Sequence, residues 1–149
     1  MSLSQKCQYS LRAIFELAKH YGEGPLKISD IAARQEIPTR FLEVILNQLK
    51  QGGFVESKRG SMGGYTLNRF PEELTVGEII RYVEGPLSPV HCMACHPDDQ
   101  CPLYGECAFL SMWEKATTAL SDVYDTTTFE NLVEEERKRL ATYVPDYCI

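Results

Sequence analysis

The chain has 149 residues, of which 44% are hydrophobic and 10% aromatic, and its formal net charge is -6. That is enough apolar material for one compact domain with a helical extension, and it excludes an intrinsically disordered chain. No basic segment followed by an apolar core opens the sequence, and no stretch reaches the roughly 18 consecutive apolar residues of a membrane span, so a soluble, non-secreted, cytoplasmic protein is expected. The net charge hides a division: residues 1 to 70 carry ten Lys and Arg against six Asp and Glu, giving +4, whereas residues 71 to 149 carry five against fifteen, giving -10. A basic half suits phosphates and an acidic half repels them, which would orient the molecule on a duplex. The plainer alternative is a chance clustering of solvated charges.

From Lys6 to Tyr21, apolar residues recur at Leu11, Ile14, Leu17, Ala18 and Tyr21, a helical stripe ended by Gly22 and the Gly24-Pro25 breaker. Leu26 to Ile28 reads as a short strand, and Ser29 as the cap of a brief helix through Ile31, Ala32 and Ala33 to about Gln35. After a turn at Glu36-Ile37, Pro38 is expected to open a third helix that Gly52-Gly53 closes. Phe54 to Lys58, the glycine-rich run Arg59 to Gly64, and Tyr65 to Leu67 spell strand, turn, strand. A helix-turn-helix followed by a hairpin is a winged helix.

Thr75-x-x-Glu78 forms a capping box for a helix with Val76, Ile79, Ile80 and Val83 on one face, stopped by Gly85-Pro86. Pro89, Pro97 and Pro102 break any regular element over residues 88 to 107, so this segment is expected to be an irregular loop. From about Cys107 to Asp125 a long amphipathic helix is predicted, with Phe109, Trp113, Ala116, Leu120 and Val123 at alternating steps of four and three. That seam calls for a partner helix, or else packs on its own domain. Thr127-x-x-Glu130 is expected to cap a last helix through Leu132 and Val133 that runs into the solvated charges Glu134 to Arg139. The expected fold is mainly α with a small β-hairpin wing. It divides into a winged helix-turn-helix DNA-binding domain over residues 1 to 86, a cysteine-rich loop over 87 to 107, and a dimerisation helix with a C-terminal helix over 108 to 149.

Four of the six cysteines, Cys92, Cys95, Cys101 and Cys107, fall in that loop. Disulfide frameworks belong to small secreted domains, so thiols or metal ligands are expected instead. Between Arg81 and Lys115 there is no Lys or Arg, while Glu84, Asp98, Asp99, Glu106 and Glu114 lie in or beside the loop. Such an acidic field opposes bare thiolates unless His91 or His96 is protonated nearby, and a bound cation relieves it. An iron-sulfur cluster (2Fe-2S or 4Fe-4S) is the favoured cofactor. Zinc is the lesser alternative, because zinc patterns usually pair two CxxC knuckles and only Cys92-x-x-Cys95 is present. A proline after Cys101 is also common in iron-sulfur loops. A metal-free thiol or purely structural loop is the third reading, and Cys148 at the C-terminus is set apart from the site.

The order of elements, the stretch Phe41-Leu42-Glu43, the wing Arg59-Gly60 to Gly63-Gly64-Tyr65 and the later cysteine loop resemble the IscR/NsrR/CymR regulators, the Rrf-two family, over residues 1 to about 135. The resemblance implies a homodimeric winged-helix DNA binder crossed through its long C-terminal helix, with an iron-sulfur cluster on three loop cysteines in the best-known members. Cys95, Cys101 and Cys107 match that spacing. Two of the family's fourth ligands are missing: Leu110 stands where one branch has histidine, and Gln8 where another recruits an aspartate from the partner's first helix. Cys92 is then the first candidate for fourth ligand, with Cys7 of the other protomer, His91 and His96 also open.

In a helix-turn-helix the second helix enters the major groove N-terminus first, which selects Thr39, Arg40 and Glu43 for the base edges. Arg40 can fork onto guanine and Glu43 can accept from cytosine, while Asn47 and Lys50 are placed for phosphates. Alternatively, Arg40 forms a surface ion pair with Glu36 or Glu43. Lys58, Arg59 and Gly60 belong to the wing, where glycines let the backbone come close and Arg59 is assigned to the minor groove, as the resemblance also implies. The function expected is a sequence-specific transcriptional regulator, a repressor in type, on a palindromic operator, responding to redox, nitric oxide or iron status. The competing class is a metal-free or zinc-bound winged-helix regulator acting through a protein partner or thiol chemistry, for example in cysteine metabolism. An electron carrier or other enzyme is not expected, because no nucleotide-binding glycine loop or catalytic order is visible and Gly63-Gly64 belongs to a hairpin.

Overall fold

The computed structural model describes residues 2–90, 103 and 106–142. Six helices and one hairpin appear among them: α1 (Gln5–Lys19), α2 (Ile28–Gln35), α3 (Thr39–Gln51), β1 (Val55–Lys58), β2 (Gly64–Leu67), α4 (Val76–Glu84), α5 (Leu110–Thr126) and α6 (Phe129–Thr142). The strands pair antiparallel, with Val55 opposite Leu67 and Lys58 opposite Gly64. Helix-turn-helix and wing are thus both present.

Helix α1 is the hub, packed against α2, α3, α4, α6 and β2. Its buried Ala13, Ile14 and Leu17 meet Ile31, Leu42, Ile45, Leu49, Ile79 and Ile80 in one apolar core. Ser4 caps α1, its hydroxyl accepting from the Cys7 amide at 3.1 Å, while the Ser4 amide donates to Glu84 at 2.9 Å and so ties the start of α1 to the end of α4.

Two expected helix starts move. Helix α2 begins at Ile28 behind Lys27, so Ser29 lies inside the first turn and caps nothing. The cause is Leu26, which exchanges two backbone hydrogen bonds with Tyr65 at 2.9 and 2.8 Å and stops the extended run one residue before the helix. Pro38 is the N-cap of α3 rather than its first helical residue, its carbonyl accepting from Phe41 and Leu42. Gly52 closes α3 as expected.

The Thr75–Glu78 capping box forms in full. The equivalent at the last helix does not involve Thr127 and Glu130. Thr127 ends α5 and donates its hydroxyl to the Val123 carbonyl at 2.7 Å, leaving Thr128 and Asn131 to cap α6 reciprocally at 3.0 and 3.2 Å. Tertiary pairing decides this shift by one residue, because Val76 donates to the Thr127 carbonyl at 2.9 Å and Phe129 to the Leu74 carbonyl at 3.0 Å. Helix α6 runs through the charged stretch to Thr142 instead of dissolving in it, and Glu136 there meets Lys19 of α1 at 2.7 Å. No residue of α5 is fully buried, and Phe109, Met112 and Val123 are exposed along it. Among the described residues no helix is long and apolar enough to cross a membrane.

Candidate nucleic-acid interface and cysteine loop

Helix α3 turns Leu42, Ile45, Leu46 and Leu49 into the core and leaves Thr39, Arg40, Glu43, Asn47 and Lys50 exposed. Its period of 3.6 residues makes that separation of faces. Among the described residues Arg40 makes no ion pair, so the expected alternative of a bridge to Glu36 or Glu43 is not formed. Lys50 is partly committed: its ammonium donates to the Ser57 hydroxyl at 2.6 Å and joins the end of α3 to β1.

The helix-turn-helix is held by Glu16, a carboxylate only 1% exposed on α1. Gln35 donates to it at 2.7 Å and Arg34 at 3.1 Å, both from the end of α2, and His20 lies at 3.2 Å. Burial pushes this carboxyl upward, but the hydrogen bonds from Gln35 and Arg34, with the nearby charges of Lys19 and His20, prevail and hold it below the ordinary 4.5. A folded-state value below the unfolded one contributes stability that is present above the unfolded value and lost as pH falls through the folded one. Glu16→Gln is therefore expected to cost about 1.5–3 kcal/mol at neutral pH, the worth of hydrogen bonds to a charged group. Urea midpoints should show the gap to wild type narrowing in acid; a gap independent of pH would contradict the assignment.

Lys58, Arg59 and Gly60 are all exposed on the wing. Gly60 has a φ of 110°, and the Gly63 amide donates to its carbonyl at 3.0 Å to close the turn. Because Leu26 pairs with Tyr65, the start of α2 lies against the wing, and Lys27, Ser29, Lys58, Arg59 and Gly60 line one concavity. Lys27 was not among the residues the sequence singles out. Arg69, near the wing in sequence, is spent elsewhere: it donates to Glu78 at 2.8 Å and to the Glu73 carbonyl at 2.7 Å.

Helix α4 links α3 to the long helix α5. Tyr82 donates its hydroxyl to the Gln48 carbonyl in the last turn of α3 at 2.7 Å, and its ring meets Phe54 edge-on at 5.0 Å. One residue earlier, Arg81 makes a two-pronged pair with Asp125 of α5 at 2.5 and 2.7 Å. Both partners are substantially exposed, so the pair contributes only about 0.2–1 kcal/mol, and its effect is to fix geometry. A Cβ on Gly77 would lie 2.0 Å from the Asp125 carboxylate, so glycine there leaves room for the Arg81–Asp125 pair in this geometry.

Of the proposed ligands, Cys107 is half-buried just before α5 and forms no disulfide among the described residues, its carbonyl accepting from the Leu110 amide at 3.1 Å. Cys92, Cys95 and Cys101, with His91 and His96, lie outside the described residues, as does Cys148. Among the described residues no three His, Cys, Asp or Glu side chains converge on a metal position. Cys7 is fully buried in the core, and its thiol is pushed up to about 11 by burial and by the charge and hydrogen bond of Glu84. A sealed, protonated thiol is the reverse of a ligand presented to another protomer.

The profile of the Rrf2 family, described as iron-dependent transcriptional regulators, matches residues 3–135. The regulator CymR of Bacillus subtilis is 38% identical over 132 residues, covering 89% of both chains. The regulator IscR of Aliivibrio salmonicida is 31% identical over 142 residues, covering 95% of this chain and 83% of that one. Among solved structures, B. subtilis CymR, titled the global cysteine regulator, superposes with a TM-score of 0.74 at 36% identity over 91% of this chain and 98% of its own. T. potens IscR does so with 0.77 at 32% over 99% and 95%. With nearly its whole length matched and its helix-turn-helix and wing shared, this chain belongs to the Rrf2 family of transcriptional regulators.

Proposed function

We propose that this protein is a homodimeric, cytoplasmic regulator that binds a palindromic operator through α3 and the wing, and that the cysteine loop controls its affinity for that operator. One observation carries the DNA reading: α3 exposes Arg40, which makes no ion pair among the described residues, with Thr39, Glu43 and Asn47 on the face opposite its buried stripe, beside a wing carrying Lys58 and Arg59. In this reading Arg40 and Glu43 address bases, Asn47 and Lys50 the phosphates, Lys58 and Lys27 the backbone beside the wing, and Arg59 with Gly60 the minor groove. The seam of α5, with exposed Phe109 and Val123 and half-buried Trp113, is the dimerisation surface, and the organisation is a DNA-binding unit to residue 86, a ligand loop to 107 and dimerisation helices beyond.

Cys92, Cys95, Cys101 and Cys107 would hold an iron-sulfur cluster, with zinc as the lesser occupant. Four soft thiolates suit either, and Cys107 forms no disulfide among the described residues. When bound, the metal supplies positive charge in an acidic segment and a state that oxidants or nitric oxide can change. The chain's own part is mechanical: Cys107 precedes α5, Asp125 of α5 grips Arg81, and Tyr82 on the same helix as Arg81 holds the end of α3. A second reading is favoured by the identity to CymR, whose solved structure is titled a cysteine regulator: a regulator of cysteine metabolism that works without a cluster.

The test begins with selection of bound sequences from random duplexes. On the enriched operator, Arg40→Ala is expected to relax one base pair at a cost of about 1–3 kcal/mol, whereas Lys58→Ala should weaken all sequences evenly and lower the salt slope by about one. Equal losses on operator and random DNA for Arg40→Ala would refute its role at a base.

A further inference from the structure

The buried stripe of α3 is Leu42, Ile45, Leu46 and Leu49. Directly across the helix lie Arg40, Val44, Asn47 and Gln51, spaced four, three and four residues apart, the row that would point into a groove. At about 100° per residue, Val44 lies nearer the centre of that row than Glu43 does. Val44 is 63% exposed, and Phe41, one turn before it, is 60% exposed. They line a cleft with Tyr9 and Ile45 whose rim carries Gln5 and Lys6, and the Phe41 ring leans on Tyr9 at 6.4 Å.

An exposed branched apolar side chain between an arginine and an asparagine gains little from the protein's own packing. The major groove offers one apolar group on its base edges, the C5-methyl of thymine, which side chains of this kind contact. Val44 stands between the two residues placed to reach the base edges and backbone, and Lys6 on the cleft rim puts a cation on the side where a phosphate strand would pass. A duplex matches that combination, and the cleft is continuous with the proposed DNA face.

We propose that Val44, with Phe41 beside it, is a specificity residue that reads a thymine methyl next to the base pair addressed by Arg40. This rests on the DNA-binding reading above. The step involves contact alone, with no covalent change.

The experiment uses the full chain and the operator enriched from random duplexes, with each thymine replaced singly by deoxyuridine, which deletes only the methyl group. Wild type should lose about fourfold in affinity at one position per half-site, the worth of one buried methyl, while Val44→Ala should bind the thymine and uracil operators alike. Because Val44 is exposed, the thermal midpoint of Val44→Ala should match wild type and exclude a folding defect. Uracil tolerated by wild type at every position, or full uracil sensitivity kept by Val44→Ala, overturns the proposal while leaving DNA binding intact. An operator bound by Val44→Ala as tightly as by wild type would assign this face to a protein partner and overturn it as well. Failure of wild type to enrich any sequence would overturn the DNA-binding reading together with this inference.

Discussion

Phe129→Ala is expected to destabilise the protein by about 3–5 kcal/mol, the usual cost of emptying a fully buried phenylalanine site. Phe129 has no exposed surface, and it is the first residue of α6. Its amide donates to the Leu74 carbonyl at 3.0 Å, so the side chain and backbone together fasten α6 where the chain turns back from α5. Alanine keeps the backbone bond and the Thr128–Asn131 cap but leaves a void in the apolar core that neighbours held by regular helices fill only in part. Urea denaturation of the purified protein measures it; a loss under about 1 kcal/mol would mean the site collapses around the smaller residue or that α6 is not docked as described.

Gly64→Ala should cost stability toward the upper end of the about 1–3 kcal/mol of overpacked sites, and weaken DNA binding beyond what folding explains. A Cβ there would stand 2.2 Å from the Leu26 carbonyl oxygen and 2.5 Å from its carbon, and backbone cannot step aside as a side-chain tip can. The contact is the one that lays the start of α2 against the wing through the Leu26–Tyr65 pair. Relief requires the wing to swing from α2, which separates Lys27 from Lys58 and Arg59. Operator binding measured well below the melting temperature isolates this effect. Unchanged affinity would show that the wing does not need its anchor.

Local chemistry in the sequence carries much of this structure. The Thr75–Glu78 box and the glycine stop after α3 depend on neighbours a few residues apart and appear as read, and of the α1 stripe Ile14, Leu17 and Ala18 are buried, whereas Leu11 is half-buried and Tyr21 lies past the end of the helix, 41% exposed. Arg40, Glu43, Asn47 and Lys50, selected from their places along the second helix of the helix-turn-helix, all lie on exposed surface of α3. Ser29 and Thr127 mislead because each is a sound cap by type, yet long-range backbone pairs, Leu26 with Tyr65 and Thr75 with Thr128, decide where the helices start. Charge counting could not separate Arg40 from Arg69, since only the fold brings Glu78 to the latter. The Arg81–Asp125 pair, 44 residues apart, and the Tyr82–Gln48 bond, 34 apart, leave no local signature. Val44 is passed over for a different reason: an apolar residue on a helix reads as core until exposure is known.

The linkage from the cysteine loop to the recognition helix is tested most directly by operator affinity of protein purified without oxygen, with its iron, sulfide and zinc content and visible spectrum recorded, before and after exposure to air. If the loop governs DNA grip, the anaerobic protein carries iron and sulfide, and its affinity shifts on exposure by about 5- to 150-fold, the range of typical coupling between two sites. Replacing Cys92, Cys95, Cys101 and Cys107 with serine then abolishes the shift while leaving the fold intact. Identical operator affinity before and after air, with the serine variant indistinguishable from wild type, would contradict that linkage and leave a regulator whose control lies elsewhere.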